Sequence, residues 1–298
     1  MNIIEPVRIT PAMLISSNVP EDDHPGWDAG TTYGNGDRVI RSHKIFESVQ
    51  GGNTGHNPAA DDIGEWWVEV SATNRWRAFD LGLADPATNA DSIRYELTLG
   101  RTTDAIAVFG MNAASLRVTV TDPIDGVIHD ATHALIETVS VHDAWSYCFG
   151  EISSSPDLIL RDLPIWSGAT LAIQISAPGG TASVGEILIG QDHPIGRTLV
   201  DTAIGLQDYS IKERDDFGGA VVVERGFTRT VDFRFVFPTE DARRIQSIMS
   251  RIRASVAVFY AGVGTDQFAT SVPGFYRDFS VPLSTNYSFG SLEVESLL

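Results

Sequence analysis

From residue 81 to residue 198 the chain runs in short segments whose apolar residues alternate with polar ones, and no amphipathic helix of ordinary length interrupts them. Ile93, Tyr95, Leu97 and Leu99 follow this period of two, as do Leu116, Val118 and Val120. Further strands are predicted at 105–109, 158–160, 171–175 and 184–189. The run Thr121-Asp122-Pro123-Ile124-Asp125-Gly126 reads as a turn, because proline presets φ and glycine accepts positive φ. About eight short strands with turns between them close most simply as two packed sheets.

Residues 199–298 change character. Segments 219–225 and 228–237 predict a hairpin, with Val231, Phe233, Phe235 and Phe237 on one face. Pro238-Thr239-Glu240-Asp241 then predicts a helix start, with Thr239 as N-cap and two carboxylates in the first turn. Ala242, Ile245, Ile248, Met249 and Ile252 share one helical face, and Arg243, Arg244, Arg251 and Arg253 lie off it. Residues 256–260 are expected to return as a strand beside the hairpin.

Trp27 to Asp80 holds a third pattern, in which glycine, asparagine and proline separate short apolar runs. A module this small has little core, so rigid aromatics carry much of its burial. Trp27, Tyr33, Phe46 and one of Trp66 or Trp67 are the candidates for that core. The order Trp27, Tyr33, Gly36-Asp37, Val39, Phe46, Asn53, Gly55, Pro58 and Trp66 resembles the small chitin-binding type of carbohydrate-binding module. The resemblance implies Trp27, Tyr33, Trp66 and Trp67 as sugar-binding candidates. Sugar-binding members of that family place exposed aromatics just after the core aromatic of the second strand, where this chain has Glu47-Ser48-Val49-Gln50. What matches is therefore mostly the skeleton. The module runs into Thr73-Asn74-Arg75-Trp76-Arg77-Ala78-Phe79-Asp80, and that combination looks like the N-terminal part of tail-tip or baseplate proteins of tailed bacteriophages. The order of segments around 104–126 also resembles the galactose-binding type of jelly roll.

The chain has 298 residues and 43% hydrophobic content, enough for a core but long for one simple domain. We expect an N-terminal arm (1–26), the module (27–71), the sandwich (72–198) and an assembly domain (199–298). The arm, with Ile3-Ile4 and Met13-Leu14-Ile15, would pack on a later domain, reach a neighbouring subunit or simply fray. The net charge of −18 is spread over the chain, which repels nucleic acid and anionic lipid. Cys148 is the one cysteine, so no intrachain disulfide or cysteine-based metal site is expected. Its neighbours Trp145, Tyr147 and Phe149 suggest a buried thiol. No signal peptide or run of about 18 apolar residues is present, so no membrane insertion is expected.

Catalytic motifs are weak. His129-Asp130-Ala131-Thr132-His133 has the outer spacing of a zinc-protease helix, but it follows a turn in a β-rich region. Asp215, Phe217 and Gly218 recur in kinases only with partners this chain lacks. Carboxylate pairs such as Asp22/Asp23, Asp61/Asp62 and Asp215/Asp216 would suit a glycosidase only if folding set two of them about 5–10 Å apart. No catalytic residue and no cofactor is nominated. Asp85, Asp91 and Asp104 are candidates for a structural calcium, and Trp145 and Trp166 either line a ligand groove or pack the core.

The expected fold is mainly β: a small aromatic β module, a central jelly-roll β-sandwich and a C-terminal antiparallel sheet with one amphipathic helix. The expected role is a non-enzymatic structural subunit of a phage tail tip or baseplate, made in the host cytoplasm and carried in the virion. Its partners would be other tail proteins, copies of itself and a host-surface glycan. Phe233, Phe235, Ile245, Ile248 and Ile252 are the candidate assembly interface. The alternatives are a glycan-binding receptor-recognition protein and a polysaccharide depolymerase.

Overall fold

The computed structural model describes residues 1–135, 156–214, 219–262 and 270–297, and these are mainly β with antiparallel ladders throughout. In chain order the strands begin with β1 (Asn2–Pro6) and β2 (Leu14–Ser17). The aromatic module follows with β3 (Thr32–Tyr33), β4 (Arg38–Arg41), β5 (Lys44–Ser48), β6 (Asn53–Thr54) and β7 (Trp67–Ala72). Next come β8 (Ala87–Thr98), β9 (Ala105–Phe109), β10 (Ser115–Asp122) and β11 (Gly126–Ala134). They are followed by β12 (Leu158–Leu160), β13 (Thr170–Val184) and β14 (Glu186–Pro194). The last part holds β15 (Arg197–Thr198), β16 (Ala203–Asp208), β17 (Ile211–Arg214), β18 (Ala220–Val223) and β19 (Phe227–Pro238). Helix α1 (Ala242–Ile252), β20 (Ala257–Tyr260), β21 (Val272–Ser280) and β22 (Tyr287–Ser296) complete it.

The central sandwich packs the sheet β11-β10-β13-β8-β2 against β12-β9-β14. Ile93, Tyr95 and Leu97 of β8, Leu116, Val118 and Val120 of β10 and Leu171, Ile173 and Ile175 of β13 point into the shared core, as a period of two requires. They meet Ile106, Val108, Ile187 and Ile189 from the other sheet. Strand β9 is apolar at every position because both of its faces are covered, with Ala105, Ala107 and Phe109 in a second cluster. The strand predicted at 184–189 is in fact two: Val184 ends β13, Glu186 starts β14, and the chain crosses between sheets at Gly185. A Cβ on Gly185 would lie 3.2 Å from both the Phe109 carbonyl oxygen and Leu83 Cδ2, so a side chain at the crossing would press on its neighbours.

Residues 2–6 form the strand that makes one sheet of two. β1 lies between β14 and β20, with Ile4 opposite both Asp192 and Val258. The order therefore runs β12-β9-β14-β1-β20-β21-β22-β19-β15 without a break. Because successive residues face opposite sides, Ile3 enters the core under α1 and Ile4 joins the cluster of Ala105 and Phe109. Gly190 permits the approach: a Cβ there would sit 2.2 Å from the Glu5 carbonyl oxygen. Of the alternatives open for the arm, packing on later parts of the chain is the one found. β2 likewise adds to the sandwich beside β8.

The C-terminal part corrects several expectations. Segment 219–225 does not pair with 228–237. Instead β18 pairs with β17, and β19 lies between β22 and the strands β15 and β16. β20 pairs with β1 and β21, not beside that hairpin. Thr239 does not cap the helix, because its hydroxyl pairs with Ser288 Oγ at 2.9 Å and its residue opens a 3-10 turn. The α-helix starts three residues later. Its expected face holds: Ile245, Ile248, Met249 and Ile252 bury against Val231, Phe233, Phe235 and Phe237. Arg251 reaches Glu5 at 2.8 Å and ties the helix to β1.

Ile3→Ala and Ile4→Ala should each destabilise the fold by about 2–5 kcal/mol through lost burial and the cavity left behind. Equilibrium denaturation would check this, and a loss near zero for either would show that β1 is dispensable.

Candidate functional site

The segment that follows the module proves to be a joint. Asn74 exchanges two hydrogen bonds with the backbone of Thr88 in β8, both 2.8 Å, and the Tyr95 hydroxyl donates to the Arg75 carbonyl at 3.0 Å. On the other side Glu21 accepts from Thr73 Oγ1 at 2.8 Å, contacts His43 Nδ1 at 2.7 Å and pairs with Arg75 at 3.3 Å. Asp23 accepts from the Asn74 N–H and faces Arg77 at 3.5 Å. Arm, module and sandwich are thus held by one short run of polar side chains, and the Asn74 amide can serve both as donor and as acceptor.

Within the module, Tyr33 and Trp67 are buried with Val39 and Phe46, their rings edge to face at 5.1 Å. Trp67 donates its indole N–H to the His56 carbonyl at 2.8 Å. Neither ring is available to a sugar, so both are corrected as binding candidates, while their place in the core is the one the sequence also predicts, with Trp67 and not Trp66 as the buried tryptophan. Trp27 and Trp66 are half-buried, and each has one ring face taken within the chain. Arg41 lies 5.1 Å over Trp27, and His56 stacks on Trp66 at 3.8 Å with planes 8° apart. The other matched positions do skeletal work. Asn53 is buried and donates to Ser48 and to the Trp66 carbonyl, Pro58 starts a 3-10 turn, and Gly36 and Gly55 have positive φ. Asp61 adds three backbone N–H bonds that set the closing strand; burial opposes its charge, but the N–H groups of Trp66, Trp67 and Glu65 hold it below the usual carboxylate range.

A groove of about 770 Å³ opens where arm, module, sandwich and the α1–β20 connection meet. Glu186 sits at its base, 1% exposed, and accepts the Leu81 N–H at 2.8 Å. Burial pushes this carboxyl up to about 9 against the pull of the Leu81 and Gly82 N–H groups, and the nearby Asp80 raises it further. Asp80 itself is pushed up to about 6 by burial of its carboxyl, although the residue keeps solvent contact. Leu81 is exposed and has φ +67, a conformation costly for a branched side chain and secured here by Glu186. Trp76 lines the same groove, 8% exposed, against His43 at 4.9 Å, and its indole N–H, like that of Trp27, has no hydrogen-bond partner among the described residues. Sequence reasoning missed Glu186. The signal was a lone carboxylate in the apolar run 184–189.

Other candidates are dispersed. His129 and His133 lie on β11, where four residues span about 13 Å, too far for one metal ion. Asp130 between them is held by Arg117. Asp85 pairs with Arg77, Asp91 accepts from Gly179 and Asp104 accepts from Asp192, so the three proposed calcium ligands are engaged separately. Trp166 is 37% exposed and gives its N–H to Asp122. Trp145, Cys148 and the triplet from Asp215 lie outside the described residues. Phe233, Phe235, Ile245, Ile248 and Ile252, expected at an assembly interface, are all buried against one another inside the chain. That is a correction: α1 covers the Phe-rich face, so neither can meet a neighbour.

The described fold is that of a β-sandwich protein with a small β module and a sheet-and-helix unit attached. No protein family's sequence profile matches the chain, and no curated protein matches it. Solved structures similar to the chain include the following two. One is chitosan-binding module 1 of a chitosanase/glucanase from Paenibacillus sp. IK-5, 11% identical, covering 39% of this chain and 83% of that one, with a TM-score of 0.26. The other is the F5/8 type C domain of a Bacteroides fragilis protein, 15% identical, covering 54% of this chain and 100% of that one, with a TM-score of 0.27.

Glu186 sets a pH dependence. Below the ordinary value of 4.5 the carboxyl is protonated in folded and unfolded chains alike; as pH rises toward about 9, only the unfolded chain loses the proton. Stability should therefore fall across that window by up to about 1.4 kcal/mol per pH unit. Glu186→Gln, which keeps an acceptor for Leu81, should flatten this slope; denaturation near about pH 5 and about pH 8 would measure it. Trp67→Ala should cost about 3–5 kcal/mol and Trp66→Ala clearly less, since only the first fills the module core.

Proposed function

We propose that this chain is a non-catalytic structural subunit of a bacteriophage tail tip or baseplate, assembled in the virion with copies of itself and with other tail proteins. The observation that carries the assembly reading is the set of strands after residue 199. All six residues of β16 are exposed, with Ile204 at 63% and Leu206 at 61%. Among the described residues β17 and β18 pair only with each other, and Val221, Val222 and Val223 are all exposed. A two-stranded ribbon is marginal alone in water, and an open edge beside exposed aliphatic residues is a surface that a second chain covers. Phe227, at the start of β19, extends the same apolar strip. The phage setting is supported by the module running into Thr73-Asn74-Arg75-Trp76 and by an acidic surface that disfavours nucleic acid.

Light scattering after size exclusion should find an assembly larger than one chain. Ile204→Lys combined with Leu206→Lys should shift it to monomer while leaving the circular dichroism spectrum unchanged. A wild-type monomer over a range of concentrations would overturn the assembly reading, and absence from purified particles of a phage that encodes the chain would overturn the virion reading.

A further inference from the structure

We infer that the ribbon β17–β18 of one copy packs on the outer face of the C-terminal sheet of a second copy, over Tyr287 and Phe289. The inference rests on the assembly reading above and names the two surfaces that meet.

The register makes β16–β19 and β17–β18 two parts of one long hairpin. Ala203 pairs with Asp232 and Asp208 with Phe227; after a short bend, Ile211 pairs with Val223 and Arg214 with Ala220. The bend is pinned to the sheet. Tyr209 donates its hydroxyl to Glu295 at 3.1 Å, Arg277 donates to the same carboxylate at 2.6 Å, and Glu295 is 6% exposed. The ribbon therefore leaves the sheet in a set direction, which spares a docking surface part of the cost of ordering. Beyond the bend the described residues leave it largely uncovered. Cross-strand partners share a face, so Ile211, Glu213, Val221 and Val223 form one side, aliphatic apart from a single acid. Val221 is 51% and Val223 47% exposed.

The matching surface lies at the other end of β19. Phe289 stands opposite Val236 and Tyr287 opposite Pro238, on the face turned away from α1. Phe289 is 57% and Tyr287 60% exposed. Arg197, opposite Val236 in β15, borders them. It is exposed and makes no ion pair among the described residues, and the same holds for Glu213 on the ribbon. One surface is thus aliphatic with a free acid, and the other is aromatic with a free base.

The ribbon cannot close on the matching surface of its own chain. The stretch of β19 from Phe227 to Val236 is about 30 Å long, whereas Val221 lies at most about 20 Å from Phe227 along the chain. A second copy carries both surfaces and has no such limit. Charge permits the approach: copies with a net charge of −18 repel, but residues 203–238 hold 6 acidic and 5 basic residues. Because ribbon and receiving face are different surfaces, the contact is head-to-tail and not two-fold.

The test uses Val221→Asp and Phe289→Asp, made separately in the full chain and followed by light scattering over a concentration series. Each should weaken self-association by about tenfold or more, with the circular dichroism spectrum unchanged. Mixing the two variants should yield a one-to-one heterodimer, because the Phe289→Asp chain keeps its ribbon and the Val221→Asp chain keeps its receiving face. Val223→Asp and Tyr287→Asp take their places should either fail to fold. Assembly that persists in both variants would overturn this contact and leave the assembly reading standing, whereas a monomeric wild type removes both. Loss of assembly in one variant alone would also overturn it, as would two monomeric variants that do not combine on mixing.

Discussion

Five residues near the start of the chain hold its two largest parts in one sheet. β1 is hydrogen-bonded to β14 on one side and β20 on the other, two strands separated by more than sixty positions of sequence. The period of two sends Ile3 and Ile4 into different cores, so a single strand contributes to both. Glu5 then anchors α1 through Arg251 and contacts His193 at 3.2 Å, and its own carboxyl is held low by those partners against the effect of burial. Contacts of such long range are expensive in chain entropy, and the fold meets that cost by packing both faces of the inserted strand.

The module is attached differently. Among the described residues no sheet joins it to the sandwich; hydrogen bonds and ion pairs from Glu21, Asp23, Thr73, Asn74 and Arg75 do. Most of these groups are only partly exposed, so losing one partner leaves a polar atom short of a bond in a place poor in water. This explains why the run after the module is rich in bond-forming side chains and ends in aromatics. Trp76 and Phe79 sit edge to face at 6.0 Å, and Phe79 meets Tyr95 in the same way at 5.0 Å. The groove beside this joint takes its walls from the arm, the module, the sandwich and the α1–β20 connection.

The strands of the sandwich and the apolar face of α1 were legible because periodicity is local: each residue's direction follows from its neighbours two or four positions away. Strand partners were not legible. β17–β18 and β16–β19 carry nothing in their sequences that distinguishes them from the hairpin expected between 219–225 and 228–237, since aliphatic strands pair with many partners equally well. The Phe-rich face of β19 was expected at a surface and lies in a core, because α1 folds back onto it. Ile204 and Leu206 of β16 and Val221, Val222 and Val223 of β18 are exposed, although their short runs look like ordinary buried strands in sequence.

Sequence by itself determined that the chain is mainly β, where one helix lies and which of its faces is apolar, and that the module's aromatics would build a small core. These are consequences of composition and spacing over a few residues. Tertiary structure alone decided that residues 2–6 would splice two sheets, that Trp67 and not Trp66 would be the enclosed tryptophan, and that Glu186 would lose water and keep its proton. Burial and ionisation depend on what distant segments bring close, and no local pattern carries that information.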